Sequence, residues 1–320
     1  MKASIIAPTY GSRLEYLRDT LVTVQDQDFP AEQYEIIVVD NGPLGGVSKL
    51  VEELNQNGRK SIQCVKETAP GSTNARHAGA RKAQGEILVF IDDDVILRPE
   101  CLRNVLEPYR DPKVGCTGGK VVLRYEGTPP DWMSQFGTVC HSALDLGEKT
   151  LELSWPACVW GAIMTVPKKV LFEVGGFNPD IFGDPSLWWL TGDGECGFEK
   201  KIFDAGYKIV YEPKVSVVHR IPPSRLTLDY FRHRLYTNGL MDSYTLIRAA
   251  GAGASTATML LRSAHAYFMT VRKMISSLVR PKWRVKASCQ SARWRAFAKH
   301  QLRAALDAKL RAYICQKSYV

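Results

Sequence analysis

The stretch Glu86–Glu100, EILVFIDDDVILRPE, decides the reading of the chain. Five apolar residues, Ile87 to Ile91, run straight into Asp92, Asp93 and Asp94. A continuous apolar run of this length is the pattern of a strand covered on both faces, as in a parallel sheet between helix layers. Three adjacent carboxylates at its end repel one another unless positive charge sits among them. A hard divalent cation, Mg2+ or Mn2+, suits such oxygen ligands, with waters and substrate phosphates completing its shell. Alternate residues of an extended segment point the same way, so Asp92 and Asp94 are expected to share one face. The plainer alternative is a solvated acidic turn.

Outward from this stretch, the first 125 residues alternate strand and helix patterns. ASIIAPT (3–9), YEIIVVD (34–40) and SIQCVKE (61–67) read as strands. Leu14 to Asp26, Ser48 to Asn57 with Ser48 as N-cap, and Gly71 to Glu86 closed by Gly85 read as helices. The fold class is therefore α/β, with a mostly parallel sheet flanked by helices. In such folds functional groups sit beyond the carboxyl ends of the strands, where Thr9, Asp40 and Asp92 to Asp94 all fall. Val114 to Tyr125 reads as a further strand and Thr128 to Glu152 as a loop. Cys158 to Phe177 reads as strand, turn and short helix. Asn178 to Gly194 is rich in Gly, Pro and Trp, and is expected to be a mobile loop. Glu195 to Ala205 reads as a helix stopped by Gly206. The segment YKIVYEPKVSVVHR (207–220) reads as two short strands broken at Pro213.

At 320 residues and 45% hydrophobic content the chain suits one large domain, or one domain with an appendage. No run of 18 apolar residues appears, so no membrane-spanning helix is expected. The first residues make a poor signal peptide and a good first strand. Eight cysteines are scattered without a CxxC pair. They read as reduced thiols rather than a disulfide framework or zinc site, which points to the cytoplasm. Net charge is +9, unevenly spread: residues 1–219 carry 23 Lys and Arg against 30 Asp and Glu, and residues 220–320 carry 19 against three.

Five stretches in order resemble the inverting family-2 glycosyltransferases with the GT-A fold. They are SIIAPTYGSRLEYLRDTLVTVQDQ, YEIIVVDNG, GSTNARHAGARKAQGEILVFIDDD, AIMTVPKKVLFEVGGFN and FDAGYKIVYEPKVSVVH. The resemblance covers residues 1 to about 220, more weakly through DYFRHRLYTNGLMDSYTLIR. It implies a UDP- or GDP-linked sugar donor, a divalent metal (Mn2+ or Mg2+) and transfer with inversion to a glycan or lipid-linked acceptor. It places Pro8, Thr9, Tyr10 and Asp40 at the nucleoside, and Arg76 near the base or phosphates. Asp92 and Asp93 would support ribose and metal, and Asp94 would hold the metal. His219 is at the position where some relatives carry a metal-binding His. The catalytic base is expected in LTGDGECGFEKK. Alignment on AGY puts Glu195 at the family's catalytic acid, with Asp193 in reserve, while Gly194 and Gly197 replace its usual acidic neighbours. Capping of the following helix is the competing role for Asp193. Trp160, Gly161, Trp188 and Trp189 are expected to shape the acceptor or sugar pocket.

The division expected is a catalytic domain over 1–222 and a basic helical region over 223–320. Two apolar stripes recur there at helical spacing, Leu260 to Leu278 and Trp294 to Ile314, among Arg and Lys. Such helices suit an anionic membrane surface, and so a peripheral place on the inner face of the cell membrane. They suit equally well packing on the catalytic body or a homodimer. No nucleic-acid partner is expected, because no recognised motif is present. Two other functions fit an α/β layer fold: a nucleotidyltransferase, for which APTYGSR is a poor Gly-rich loop, and a non-catalytic sugar-nucleotide binder or assembly partner that has lost its base.

Overall fold

The computed structural model describes residues 1–58, 60–180, 185–253, 255–279 and 283–320. Strands β1 (Ala3–Thr9), β2 (Tyr34–Asp40), β3 (Ile62–Lys66) and β4 (Ile87–Ile91) lie in the order β3-β2-β1-β4, all parallel. Side chains along a strand alternate between its two faces, and in β1 both faces are covered. Ala3, Ile5 and Ala7 pack with Leu17, Leu21 and Val24 of helix α1 (Leu14–Gln25) and Leu50 and Leu54 of α2 (Val47–Asn57). Ile6 packs on the other side with Ala75, Ala78 and Ala80 of α3 (Ser72–Lys82). This double coverage is why β1, β2 and β4 are mostly apolar, whereas the edge strand β3 carries Gln63 and Lys66 and is partly exposed.

Beyond β4 the sheet is mixed. Strands β5 (Val95–Leu97), β6 (Val114–Tyr125), β7 (Leu151–Leu153), β8 (Ile163–Pro167) and β9 (Lys208–Ile221) continue it as β4-β8-β6-β9-β5, with β7 also on β9. Only β6 and β9 run parallel in this half. Short helices α4 (Cys101–Leu106) and α5 (Lys168–Glu173) connect strands, and α6 (Gly194–Asp204) precedes β9. Phe177 joins Phe90 and Phe198 in a fully buried aromatic cluster, with ring centroids 5.2 and 4.3 Å away.

Several local expectations change. α2 begins at Val47, and Gly46 rather than Ser48 stands at its N-cap. The segment 207–220 is not two strands: β9 passes through Pro213, and the β6–β9 register jumps there, pairing Gly119 with Glu212 and Lys120 with Ser216. Pro lacks a ladder donor, and a bulge accommodates it without breaking the strand. Within the expected loop 178–194, Pro185–Leu190 forms a 3-10 helix, and residues 181–184 lie outside the described residues.

Four helices follow: α7 (Leu228–Ala250), α8 (Thr256–Val279), α9 (Arg284–Leu306) and α10 (Ala308–Ile314). α9 packs against both α7 and α8, burying Ala292, Ala296, Phe297 and Ala304. The two predicted stripes differ in fate. Phe297, Ala298, Leu310 and Ile314 of the second are covered, whereas α8 turns Met259, Ser263, Ala266 and Thr270 inward and its large apolar residues outward. Among the described residues no helix is long and apolar enough to cross a membrane.

Two buried histidines link stability to pH. His77 on α3 accepts the Phe177 N–H at 2.9 Å, and burial lowers it from 6.5 to about 3. His300 on α9 lies 2.7 Å from Ser243 Oγ and 3.2 Å from the Trp189 carbonyl, and burial lowers it to about 4. Both are neutral when folded and take up protons when unfolded below 6.5, so their contribution is present above 6.5 and lost as pH falls toward 4 to 3. The melting temperature is expected to fall as pH drops from about 7 to about 4.5, with a shallower slope in His77→Gln and His300→Gln. An unchanged slope in both variants contradicts this.

Candidate active site

The carboxyl ends of β1 and β4 and the N-termini of α3 and α6 open onto one cavity of about 560 Å³, within the usual range for small-molecule sites. Its lining carries six carboxyls, Asp92, Asp93, Asp94, Asp180, Asp193 and Glu195. Facing them are the guanidiniums of Arg13, Arg76, Arg225 and Arg234. The balance leaves two negative charges when all are ionised, which suits a divalent cation.

Asp92 to Asp94 form the turn from β4 to β5, not an extended segment, so each carboxylate meets its own partners. Asp92 pairs with Arg76 at 3.2 Å. Asp93 accepts the Thr9 hydroxyl at 2.5 Å. Loss of bulk water, with the Asp94 charge beside it, pushes Asp93 up to about 6. Asp94 is buried and meets Arg13 and Arg225 at 3.0 Å each and His219 Nε2 at 3.2 Å. Burial alone would raise Asp94, but His219, Arg225 and Arg13 together hold it below the usual carboxylate range.

His219 comes opposite the turn because β5 pairs antiparallel with β9, Val95 against His219. Its Nδ1 lies 3.0 Å from the His141 carbonyl, and Arg225 Nη1 lies 3.0 Å from Nε2. Asp94 Oδ1 is buried and lies 3.2 Å from His219 Nε2, with Arg225 reaching both residues. A carboxylate and an imidazole nitrogen side by side are donor types that a divalent cation accepts, and the His141 carbonyl orients the ring as in known metal-bound imidazoles. Among the described residues no three His, Cys, Asp or Glu side chains are arranged to hold a metal alone.

Glu195 and Asp193 separate clearly. Glu195 Oε1 meets Arg76 at 2.5 Å and its Oε2 accepts the Gly161 N–H at 2.9 Å. A side chain at Gly161 would place its Cβ 1.8 Å from Glu195 Oε1, so glycine is what allows this approach. Asp193, buried, accepts from Asn178 at 2.7 Å and from Thr245 of α7 at 2.8 Å, and its side chain does not cap α6. A Cβ at Gly197 would lie 2.0 Å from Asp193 Oδ1, which explains one of the glycines found where acids were expected. Arg76, itself buried, bridges Glu195 and Asp92 above the Phe177 ring, 5.5 Å away.

The remaining predicted residues divide. Pro8, Thr9, Tyr10, Trp160 and Gly161 line the cavity. Asp40 does not: it closes a turn with the Gly42 N–H at 3.2 Å and pairs with Lys66 at 2.9 Å, and Asn41 lines the cavity in its place. Trp188 and Trp189 are not in the lining; Trp189 packs on the helical region beneath the Arg303 guanidinium, 4.1 Å from its ring. Asp180, Arg13 and Arg225 were not foreseen as site residues. Burial and the Glu195 charge push Asp180 up to about 7, against a 2.9 Å hydrogen bond from Ser72. Arg13 follows the same strand end as Thr9, and that position was a readable signal; Arg225 and Asp180 offered none.

The model for "Glycosyl transferase family 2" matches residues 4–166, and that for "Glycosyl transferase family group 2" matches residues 87–294. The chain belongs to glycosyl transferase family 2 and is a glycosyltransferase of GT-A fold. It is 24% identical over 222 residues to glycosyltransferase AglE of Haloferax volcanii, covering 69% of this chain and 67% of AglE. It is 29% identical over 104 residues to the poly(ribitol-phosphate) beta-N-acetylglucosaminyltransferase TarS of Staphylococcus aureus, covering 32% of this chain and only 18% of TarS. TarS residues 1–349, solved with UDP, share the fold at a TM-score of 0.52 and 15% identity over 95% of this chain and 91% of that one. The mannosyltransferase PcManGT of Pyrobaculum calidifontis, solved with GDP-Man and Mn2+, shares it at 0.59 and 21% identity over 93% and 86%.

Asp193 and Glu195 should respond unequally to substitution. Asp193→Ala leaves the buried Asn178 amide and Thr245 hydroxyl unpaired and is expected to cost about 2–4 kcal/mol. Glu195→Gln keeps one acceptor but turns its amide toward a donor, Arg76 or the Gly161 N–H, at a partly exposed position, and is expected to cost less, about 1–2 kcal/mol. Chemical denaturation of both variants checks this, and equal losses contradict it.

Proposed function

We propose that the protein transfers a sugar from a UDP- or GDP-linked donor to an acceptor hydroxyl, with metal assistance and inversion at the anomeric carbon. The observation that carries this reading is the pairing within one cavity of two unlike sites: the Asp94 carboxylate beside the His219 imidazole, 3.2 Å apart, and the Glu195 carboxylate held by Arg76 and the Gly161 N–H. Pro8, Thr9, Tyr10 and Asn41 line the side suited to the nucleoside, with Asp40 holding the turn behind it. Asp94 and His219, with Asp92 beside them, would hold Mn2+ or Mg2+. When bound, that ion supplies positive charge where the diphosphate becomes negative on leaving. Arg13 and Arg225, which neutralise Asp94 here, are placed to meet diphosphate oxygens as well.

Glu195 acts as the general base. It takes the proton of the acceptor hydroxyl as the new bond to the anomeric carbon forms and the bond to the diphosphate oxygen breaks. The Gly161 N–H and Arg76 fix its orientation. Retention through a double displacement needs a second, nucleophilic carboxylate, and Asp193 is committed to Asn178 and Thr245. The acceptor proposed is a glycan or a lipid-linked glycan of the cell envelope, reached by a peripheral enzyme. Trp160, anchored through its indole N–H to the Ala143 carbonyl at 3.1 Å, offers an aromatic edge to it.

Glu195→Gln is expected to lower transfer by about 100-fold or more while nucleotide affinity stays within about threefold, since a general base contributes about 10² to 10⁴. Transfer measured with UDP- and GDP-sugars on native and variant protein, with product anomers assigned by NMR, tests this. Undiminished transfer in the variant removes Glu195 from the role, and a retained anomer removes the single displacement.

A further inference from the structure

We propose that the outward face of α8 is a docking surface for an anionic lipid bilayer. This goes beyond the donor-site reading and does not depend on it. α8 has 24 residues, about 36 Å of helix. Its packing is inverted relative to an ordinary surface helix, which hides large apolar residues and shows polar ones. Here the small and polar side turns inward: Ser263 Oγ donates to the Ala298 carbonyl of α9 at 2.9 Å, and Ala266 and Thr270 are buried beside it. The large side chains turn out. Leu261 is 72% exposed, Phe268 64% and Leu278 74%, and Val271, Ile275 and Val279 are also exposed. A contiguous apolar strip of this kind marks an interaction surface.

The charge around it chooses the occupant. Residues 243–306 contain no Asp or Glu, and Arg262, Arg272 and Lys273 lie on α8 itself. In a symmetric dimer through this face, each basic rim would meet its own copy with no acid to pair with it. An anionic membrane surface instead attracts every one of these residues while accepting the apolar strip at the level of the acyl chains. Beside the strip runs a groove of about 600 Å³ between α7, α8 and α9. Arg232, Arg295, Ser288 and Ser291 line it together with Met274 and Leu278. Guanidiniums and hydroxyls next to exposed apolar side chains suit a phosphate headgroup whose tails continue along α8.

The arrangement couples the bilayer to the catalytic cavity by direct packing. α8 lies on α9, and α9 on α7. α7 contributes Tyr230, Arg234 and Met241 to the cavity lining and Thr245 to Asp193.

Sedimentation of the full chain with vesicles tests the surface. Binding is expected to phosphatidylcholine vesicles containing about 30% phosphatidylglycerol, with weaker binding to pure phosphatidylcholine and a loss on raising salt to about 0.5 M. The double variant Phe268→Glu/Leu278→Glu is expected to lose at least about tenfold in vesicle affinity. Both side chains are exposed, so its melting temperature and nucleotide binding should match the native protein. Arg272→Glu/Lys273→Glu should lower only the anionic-vesicle component. Absence of native binding overturns the proposal, as does equal binding by the Phe268/Leu278 variant. A native dimer that the same variant dissociates, without vesicle binding, overturns it in favour of a second copy.

Discussion

Crowding of carboxylates at the end of β4 is the constraint around which this molecule is arranged. Asp92, Asp93 and Asp94 stand in a single turn, and their repulsion is answered from four directions. Arg76 comes from α3, Thr9 and Arg13 from the end of β1 and just beyond it, His219 from β9 and Arg225 from the connection to α7. Each reaches the turn only because the sheet has its particular order. The parallel half aligns the ends of β1 and β4, and the antiparallel pairing of β5 with β9 carries His219 across. Even so, the neutralisation is incomplete: Asp93 and Asp180 are pushed upward. A folded protein tolerates such strain where a ligand relieves it.

The second organising feature is the reach of the helical region into the site. Thr245 of α7 fixes Asp193, and Asp193 with Asn178 shapes the entry to α6, which presents Glu195. Arg225, Tyr230 and Arg234 line the cavity itself. The basic region is therefore part of the cavity wall as well as the bearer of the outward α8 face, and the family-group match running to residue 294 spans both.

Much of this was legible in the sequence, for identifiable reasons. Near-continuous apolar runs revealed β1, β2 and β4 because both faces of those strands are covered, while β3 at the edge is mixed and partly exposed. The rule that chemistry gathers at carboxyl strand ends found Thr9 and the aspartates, and would have found Arg13 had it been pressed two residues past Gly11. The resemblance put Glu195 first with Asp193 in reserve, and the structure gives the two different partners: Asn178 and Thr245 for Asp193, Arg76 and the Gly161 N–H for Glu195. Other features were out of reach. Whether three aspartates form a turn or an extended segment depends on where β5 pairs. Pro213 looked like a break because the bulge that absorbs it is formed against β6. Helical periodicity showed an apolar stripe on α8 but not which side would be covered, since that depends on Ser263 and Ala266 fitting α9. Trp189 looked like a sugar platform and is instead packing for α9 and α10.

The most direct measurement is calorimetric titration of UDP and GDP into the native protein, with and without Mn2+. The account predicts that one of the two nucleotides binds, that binding strengthens by at least about tenfold with Mn2+, and that the Mn2+ effect is lost in Asp94→Asn. Binding of equal strength with and without Mn2+, or no binding of either nucleotide, would contradict the claim that the turn after β4 holds a metal for a donor diphosphate.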